Sequence, residues 1–504
     1  MASFRRDEQK KQAMLKPEIT IKEFHEGLVK KDFSASEAAE FFLNEIKEKD
    51  GEVKAFLEVW RKEAKEEAKE VDLKIEKGER VGYLTGIPIA IKDIILKKGK
   101  EFTAGSKILK GYKAEYDSTV VSKLKKEGAV FLGRTNMDEF AFGSTTEQSA
   151  WQVTRNPIDL ERVPGGTSGG SAAALAGGMA VAALGTDTGG SVRQPASFCG
   201  AVGLRPTYGA VSRFGVVAAA SSFDQVGPIT KTVEDAAILF KAIVGKDKLD
   251  STTIFHDFSE EITNPDFKEI KELTIGIPEE LFDEERGTFK GLDERTALEM
   301  KKATEKLKNS GMKFKKISLP NSEYALSCYY ISIFAEESSN LARFDGLRYG
   351  AEEIREKVFR KETLKEIYLN NKSKGFGDEA KRRIILGTFV LSSGFYDAYY
   401  GKAQKVRRMM RTDFERAFYE VDAILMPTAP TVAFKIGEKI NDPLQMYYGD
   451  IFTVAAPLAG LPAISIPTEG LKAEKTGLPV GFQLIGKKFR EEDILGIGQF
   501  YEKI

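Results

Sequence analysis

Residues 164–206 read PGGTSGGSAAALAGGMAVAALGTDTGGSVRQPASFCGAVGLRP. Glycine and small hydroxyl residues are concentrated here far beyond the chain average. Gly165, Gly166, Gly169 and Gly170 surround Thr167 and Ser168, and Gly189 and Gly190 precede Ser191. Glycine admits tight or positive-φ backbone, and it lets backbone N–H groups converge on an anion. A phosphate loop would need G-x-x-x-x-G-K-[ST], and no lysine follows these glycines. A dinucleotide site would need a strand–GxGxxG–helix unit with a later acidic residue, which is missing. Close helix packing accounts for Gly177 and Gly178. It accounts poorly for Gly189–Gly190–Ser191, which follow Asp187 in a polar loop.

Acyl transfer is the remaining reading. A serine nucleophile needs a base for its proton and backbone donors for the oxyanion. Ser191 offers the hydroxyl, and Thr188, Gly189 and Gly190 offer N–H groups beside it. The two histidines, His25 and His256, lie in a helical stretch and a polar loop far from this segment, where surface or capping roles are the common ones. The base must then be another group. A lysine can serve if burial leaves it neutral. Lys92 ends the apolar run Ile87–Ile91, although a lysine after a strand is more commonly solvated.

Working outward, helical and strand patterns alternate. Thr20 with Glu23 and Ser34 with Glu37 fit capping boxes, and residues 17–80 read as helices, with 61–80 a solvated one. Strands are expected near 87–92, 129–134, 181–186, 273–277, 421–426 and 478–485. Helices are expected near 171–180, 232–244, 293–309 and 491–502, and residues 322–420 read as mostly helical. Residues 246–270 read as a polar surface connection. The alternation predicts an α/β fold: a large mixed β-sheet core surrounded by helices. Residues 1–80 form an N-terminal helical segment packed on a domain of residues 81–504, together one large unit.

The charge balance of 76 basic and 76 acidic residues argues against a grip on nucleic acid by bulk electrostatics. The cluster Lys405, Arg407, Arg408 and Arg411 reads as a solvated helix face rather than a nucleic-acid contact. Cys199 and Cys328 have no zinc or redox spacing, and a reducing cytoplasm fits. The first residues, MASFRRDEQKKQ, lack the apolar region of a secretory signal. The run Ile451–Pro467 carries three prolines and reads as buried core, not a membrane span.

The sequence resembles the amidase signature family, through GIPIAIKD around Lys92, GGTSGGSAAA around Thr167 and TDTGGSVRQPASFCGAVGLRPTYGAVSRFG around Ser191. The resemblance implies a mixed sheet wrapped by helices and the hydrolysis or transfer of amides. It implies that Ser191 forms an acyl-enzyme, that Lys92 is the final proton acceptor, and that a hydroxyl on a cis peptide relays the proton. The family usually has serine at the relay, where this chain has Thr167. Threonine keeps the hydroxyl and restricts χ1, so Thr167 is the expected relay and the adjacent Ser168 the alternative.

Further segments are similar to the A subunits of Glu-tRNA(Gln) amidotransferases: TNMDEFAFGSTTEQSAWQVTRNPIDLERVPGG, SSNLARFDGLRYG at 338–350, GFGDEAKRRIILGTFVLSSGFYDAYYGKAQKVR at 375–407, and DPLQMYYGDIFTVAAPLAGLPAISIP at 442–467. That resemblance implies glutamine hydrolysis, with ammonia sent to a partner in a heterotrimer of A, B and C subunits. It implies that the partner uses ATP and Mg and does most of the binding of mischarged tRNA, while this chain binds no cofactor or metal. Asp-tRNA(Asn) is a related substrate. Tyr329, Arg383 and Asp450 match the family's glutamine-binding positions. An arginine fork suits the carboxylate of the zwitterion and an aspartate its ammonium. The alternatives are a free-standing amidase for a small amide and a non-catalytic assembly protein.

Overall fold

The computed structural model describes residues 15–349, 363–469 and 477–504. The reading of the first residues, the end of the 338–350 motif and the helical reading across 350–362 lie outside the described residues.

Eleven strands form one mixed sheet. In chain order they are β1 (Phe56–Val59), β2 (Pro88–Lys92), β3 (Val130–Thr135), β4 (Ala182–Asp187), β5 (Val202–Arg205), β6 (Gln225–Thr230), β7 (Thr274–Pro278), β10 (Lys313–Ile317), β11 (Ala423–Pro427), β12 (Ala463–Pro467) and β13 (Gly481–Gly486). The pair β8 (Phe282–Asp283) and β9 (Thr288–Phe289) forms a separate small hairpin. The spatial order is β1-β3-β2-β4-β6-β5-β12-β13-β11-β7-β10.

The position of β2 decides where the chemistry sits. It lies between β3 and β4 and runs parallel to both. A parallel strand covered on both faces reads as a near-continuous apolar run, which is what PIAIK is until its last residue. Lys92 pairs with Thr135 at the ends of their strands, and β4 ends at Asp187. These C-terminal ends share one edge of the sheet, the usual place for a site in an open α/β sheet.

The helices that matter for the site are α1 (Ile21–Val29), α2 (Ala35–Val53), α3 (Arg61–Glu76), α4 (Gly169–Ala176), α5 (Arg193–Cys199), α6 (Ala325–Leu341), α7 (Asp378–Leu391) and α8 (Lys402–Ala417). Both capping boxes form as expected, Thr20 with Glu23 and Ser34 with Glu37. Helices also run over Val233–Ile243, Glu294–Asn309 and Glu491–Lys503, close to the expected spans. No helix among the described residues is long and apolar enough to cross a membrane.

The structure corrects several expectations. Residues 17–80 are not all helical: β1 is an edge strand antiparallel to β3. Lys54 ends α2 in the left-handed region at φ 57°. The Asp50 carboxylate then accepts the Ala55 N–H at 2.6 Å, turning the chain into the sheet. Strands β5, β6, β10 and β12 were not expected. Pro228 lies inside β6 and Pro467 ends β12, and proline within a run argues against a strand. The lysine-rich β10 is a solvated edge. Residues 246–270 include a short helix, Phe267–Glu272.

Helix α4 starts at Gly169, two residues earlier than expected, and its first turn lies against the backbone just after β3. A Cβ at Gly170 would sit 2.3 Å from the carbonyl oxygen of Asn136. Gly170→Ala should therefore destabilise the chain by about 1–3 kcal/mol, read as a lowered urea midpoint with an unchanged m-value.

Candidate active site

Lys92 is wholly buried. Its Nζ donates to Thr167 Oγ1 at 2.7 Å and to Thr186 Oγ1 at 2.9 Å. Burial outweighs the carboxylates of Asp138, Asp187 and Asp224 and pulls the amine down from 10.5 to about 7. A substantial fraction is then neutral near physiological pH, the condition for a lysine base.

The partner hydroxyl comes from the glycine-rich loop ahead of α4. The Gly166–Thr167 peptide is cis. Gly166 N–H donates to Gln194 Oε1 at 2.9 Å, and a Cβ at Gly166 would lie 2.3 Å from Asp138 Oδ2. The Asp138 carboxylate and the Thr145 backbone nitrogen, 2.5 Å from the same Cβ position, leave room only for glycine there. Ser168 turns away from the amine: its hydroxyl donates to the Thr186 carbonyl at 3.2 Å and accepts the Thr186 N–H at 3.3 Å. Of the two adjacent hydroxyls, only that of Thr167 meets Lys92.

Ser191 lies on the loop between β4 and α5, and this loop is fixed by a buried ionic cluster. Asp187 accepts from Arg193 Nε at 2.9 Å and Nη2 at 3.0 Å, and from Arg205 Nη1 at 3.3 Å. Burial alone would raise the Asp187 carboxyl, but the two guanidiniums overcome it and hold it at about 2. Arg193 Nη1 reaches on to Gln483 Oε1 at 2.8 Å.

The Ser168 N–H donates to the Ser191 carbonyl at 3.1 Å, so the two loops abut. The Ser191 and Thr167 hydroxyls do not bond to each other in the structure. Catalytic hydrogen bonds are often loose before substrate arrives.

Among the described residues, the N–H groups of Gly189, Gly190 and Ser191 donate to no acceptor of the chain. Buried N–H groups are nearly always paired, so three unpaired in succession are free to receive an anionic oxygen. Thr188 is anchored beside them, its hydroxyl donating to Asp224 Oδ1 at 2.7 Å. Gly190 has φ +138°, and a Cβ at Gly189 would fall 2.1 Å from the Tyr329 hydroxyl.

Tyr329, Arg383 and Asp450 are buried together, close enough for their charges to act on one another. Tyr329 touches the nucleophile loop from α6. Arg383, on α7, is 3% exposed. It donates from Nε to Glu379 Oε1 at 2.8 Å and from Nη1 to Glu337 Oε1 at 2.9 Å. Aromatic faces surround its guanidinium, Phe142 at 4.9 Å and Phe334 at 5.4 Å. Asp450 accepts from the Tyr330 hydroxyl at 2.6 Å and from Ser144 at 3.4 Å. Burial pushes its carboxyl up to about 7.

Sequence reasoning missed Tyr330, Glu337, Glu379, Tyr447 and Ser144. Glu379 was detectable, since it stands four residues before Arg383 on one helix. The others come from distant segments. Arg407 also differs from its reading as part of a solvated face: it donates to Leu458 O at 3.0 Å and stacks over Phe223 at 4.1 Å.

These features define an acyl-transfer site with a buried lysine in place of histidine. A family model described as Amidase matches residues 37–495, and the chain belongs to the amidase family. Its curated relatives narrow the likeness. It is 51% identical to the A subunit of the glutamyl-tRNA(Gln) amidotransferase of Clostridium botulinum, over 96% of this chain and 97% of that one. It is 50% identical to the protein of the same name from Nostoc, with the same coverage. The crystal structure of the Thermotoga maritima counterpart, also named as the A subunit of a glutamyl-tRNA(Gln) amidotransferase, superposes with a TM-score of 0.76 at 42% identity, covering 97% of this chain and 95% of that one.

The charge state of Lys92 has a consequence for stability. Between about pH 7 and the ordinary lysine value, the unfolded chain binds more protons than the folded one, so stability rises with pH. Relative to Lys92→Met, the parent should gain up to about 1.4 kcal/mol per pH unit above pH 7. Urea unfolding of both proteins from about pH 7 to 9 measures this slope.

Proposed function

We propose that this chain is the glutamine-hydrolysing component of a tRNA-dependent amidotransferase. It hydrolyses glutamine and supplies ammonia for converting Glu-tRNA(Gln) to Gln-tRNA(Gln). Asp-tRNA(Asn) is a second candidate substrate of the same complex. The observation that carries the reading is the hydrogen bond between the buried, low-pKa Lys92 amine and Thr167, on a loop that abuts the Ser191 loop.

Ser191 is the nucleophile. Its proton passes through the Thr167 hydroxyl to neutral Lys92 as Oγ attacks the side-chain amide carbon. The N–H groups of the Thr188–Ser191 loop receive the oxyanion. The proton returns by the same route to the departing nitrogen, which leaves as ammonia. Water then attacks the γ-glutamyl ester, giving its proton to the relay, and glutamate departs as the Ser191 hydroxyl re-forms. Arg383 holds the α-carboxylate, Asp450 the ammonium, and Tyr329 closes the site beside Gly189. Ser168 keeps the relay loop on β4 through its bonds to Thr186.

The names of the curated relatives, which each denote one component of an amidotransferase, support work within a complex. In this reading B and C subunits complete a cytoplasmic heterotrimer. ATP and Mg are used by the partner, which also holds most of the mischarged tRNA, and this chain binds no cofactor itself.

Ser191→Ala should abolish glutaminase activity, and Lys92→Ala should lower kcat by several orders of magnitude. Lys92→Arg should not rescue, because a guanidinium stays protonated. Thr167→Ser should retain activity, whereas Thr167→Val should lose about 10²–10⁴-fold. Co-purification followed by a glutaminase assay tests the wider role: ATP and Glu-tRNA should stimulate it. A free-standing small-amide amidase would instead turn over simple amides at full rate and be indifferent to Arg383→Ala.

A further inference from the structure

We infer that Glu337 is a positioning residue that takes up a proton when an amino-acid carboxylate arrives at Arg383. The inference rests on the reading of glutamine as substrate. Arg383 already bonds two carboxylates, Glu379 and Glu337. A substrate carboxylate would be the third anion on a single buried cation. Repulsion between carboxylates sharing a buried site is relieved by protonating one of them.

The surroundings select which one. Glu379 accepts from Arg383 and from the Tyr447 hydroxyl at 2.7 Å, and it also pairs with Arg382. Burial would raise it, but Arg383 and these hydrogen bonds hold it below its ordinary value. Glu337 has only Arg383. It is 1% exposed, and its Oε2 is buried with no hydrogen-bond partner among the described residues. The other titratable groups facing it are acidic or neutral: Glu379 from α7, Asp224 ahead of β6, and Tyr329 from its own helix. Burial pushes its carboxyl up to about 7. A protonated Glu337 still accepts from Arg383 through its carbonyl oxygen. The guanidinium therefore keeps its place while its charge turns to the incoming carboxylate. The proton comes from solvent and returns there when the amino acid leaves.

Calorimetric titration tests this. The full chain carrying Ser191→Ala, with any proteins that accompany it, is titrated with glutamine at about pH 8 in buffers of different ionisation enthalpy. At that pH Asp450 is already largely ionised, so its pairing with the ammonium releases little proton. Uptake of up to about one proton per bound glutamine is expected. Glutaramic acid, which lacks the ammonium, should retain the uptake. 4-Aminobutanamide, which lacks the carboxylate, should not, and this comparison needs no substitution at 337. With Glu337→Gln the uptake should vanish. The Kd for glutamine should then change little between about pH 7.5 and 8.5, where the parent weakens by up to about tenfold per unit. Glutamine binding without proton uptake, or uptake persisting in Glu337→Gln, overturns the role of Glu337 alone. Failure of glutamine to bind at all overturns the glutamine reading and this inference with it.

Discussion

The clasp of Asp187 by Arg193 and Arg205 is the constraint on which the rest of the site depends. All three side chains are fully buried. An isolated charge in that position would be costly, and removing one partner of such a set typically costs about 3–5 kcal/mol. Asp187 ends β4 and Arg193 opens α5, so the ion pairs fix both ends of the loop that carries Ser191. Asp187 also takes the Val192 N–H at 3.3 Å. With that donor occupied and the ends pinned, the N–H groups of Gly189, Gly190 and Ser191 are left without an acceptor among the described residues. The donor set that receives the oxyanion in the proposed reaction is thus a by-product of how a buried carboxylate is satisfied.

Burial acts on three other groups in the same region, with opposite signs. It lowers Lys92 and raises Asp450 and Glu337, and all three settle near about 7. Their roles separate through contacts rather than through depth. Lys92 meets hydroxyls, Asp450 meets a phenol, and Glu337 meets a guanidinium. A region built this way changes its charge with little proton cost near neutrality.

Much of this was legible in the chain. The glycine-rich segment excluded a phosphate loop and a dinucleotide site and left acyl transfer open, and the family resemblance decided for it. The apolar run ending in Lys92 declared a buried strand, and the resemblance placed Thr167 and the clamp residues. The sheet was less legible at β5, β6, β10 and β12, where proline, shortness or surface lysine masks strand character that long-range pairing restores. Arg193 and Arg205 look like surface residues in a sequence, because nothing local shows that both will close on Asp187. Tyr330 and Glu337 share a helix with Tyr329, but their roles come from segments far along the chain.

The contact between Gly189 and the Tyr329 hydroxyl bears on how such a protein can change over generations. The phenol occupies the space that any side chain at 189 would need. The obstacle runs one way: glycine leaves a change at 329 sterically free, whereas a larger residue at 189 is blocked while the tyrosine stands. Drift at this contact should therefore be ordered, with 329 giving way before 189 can.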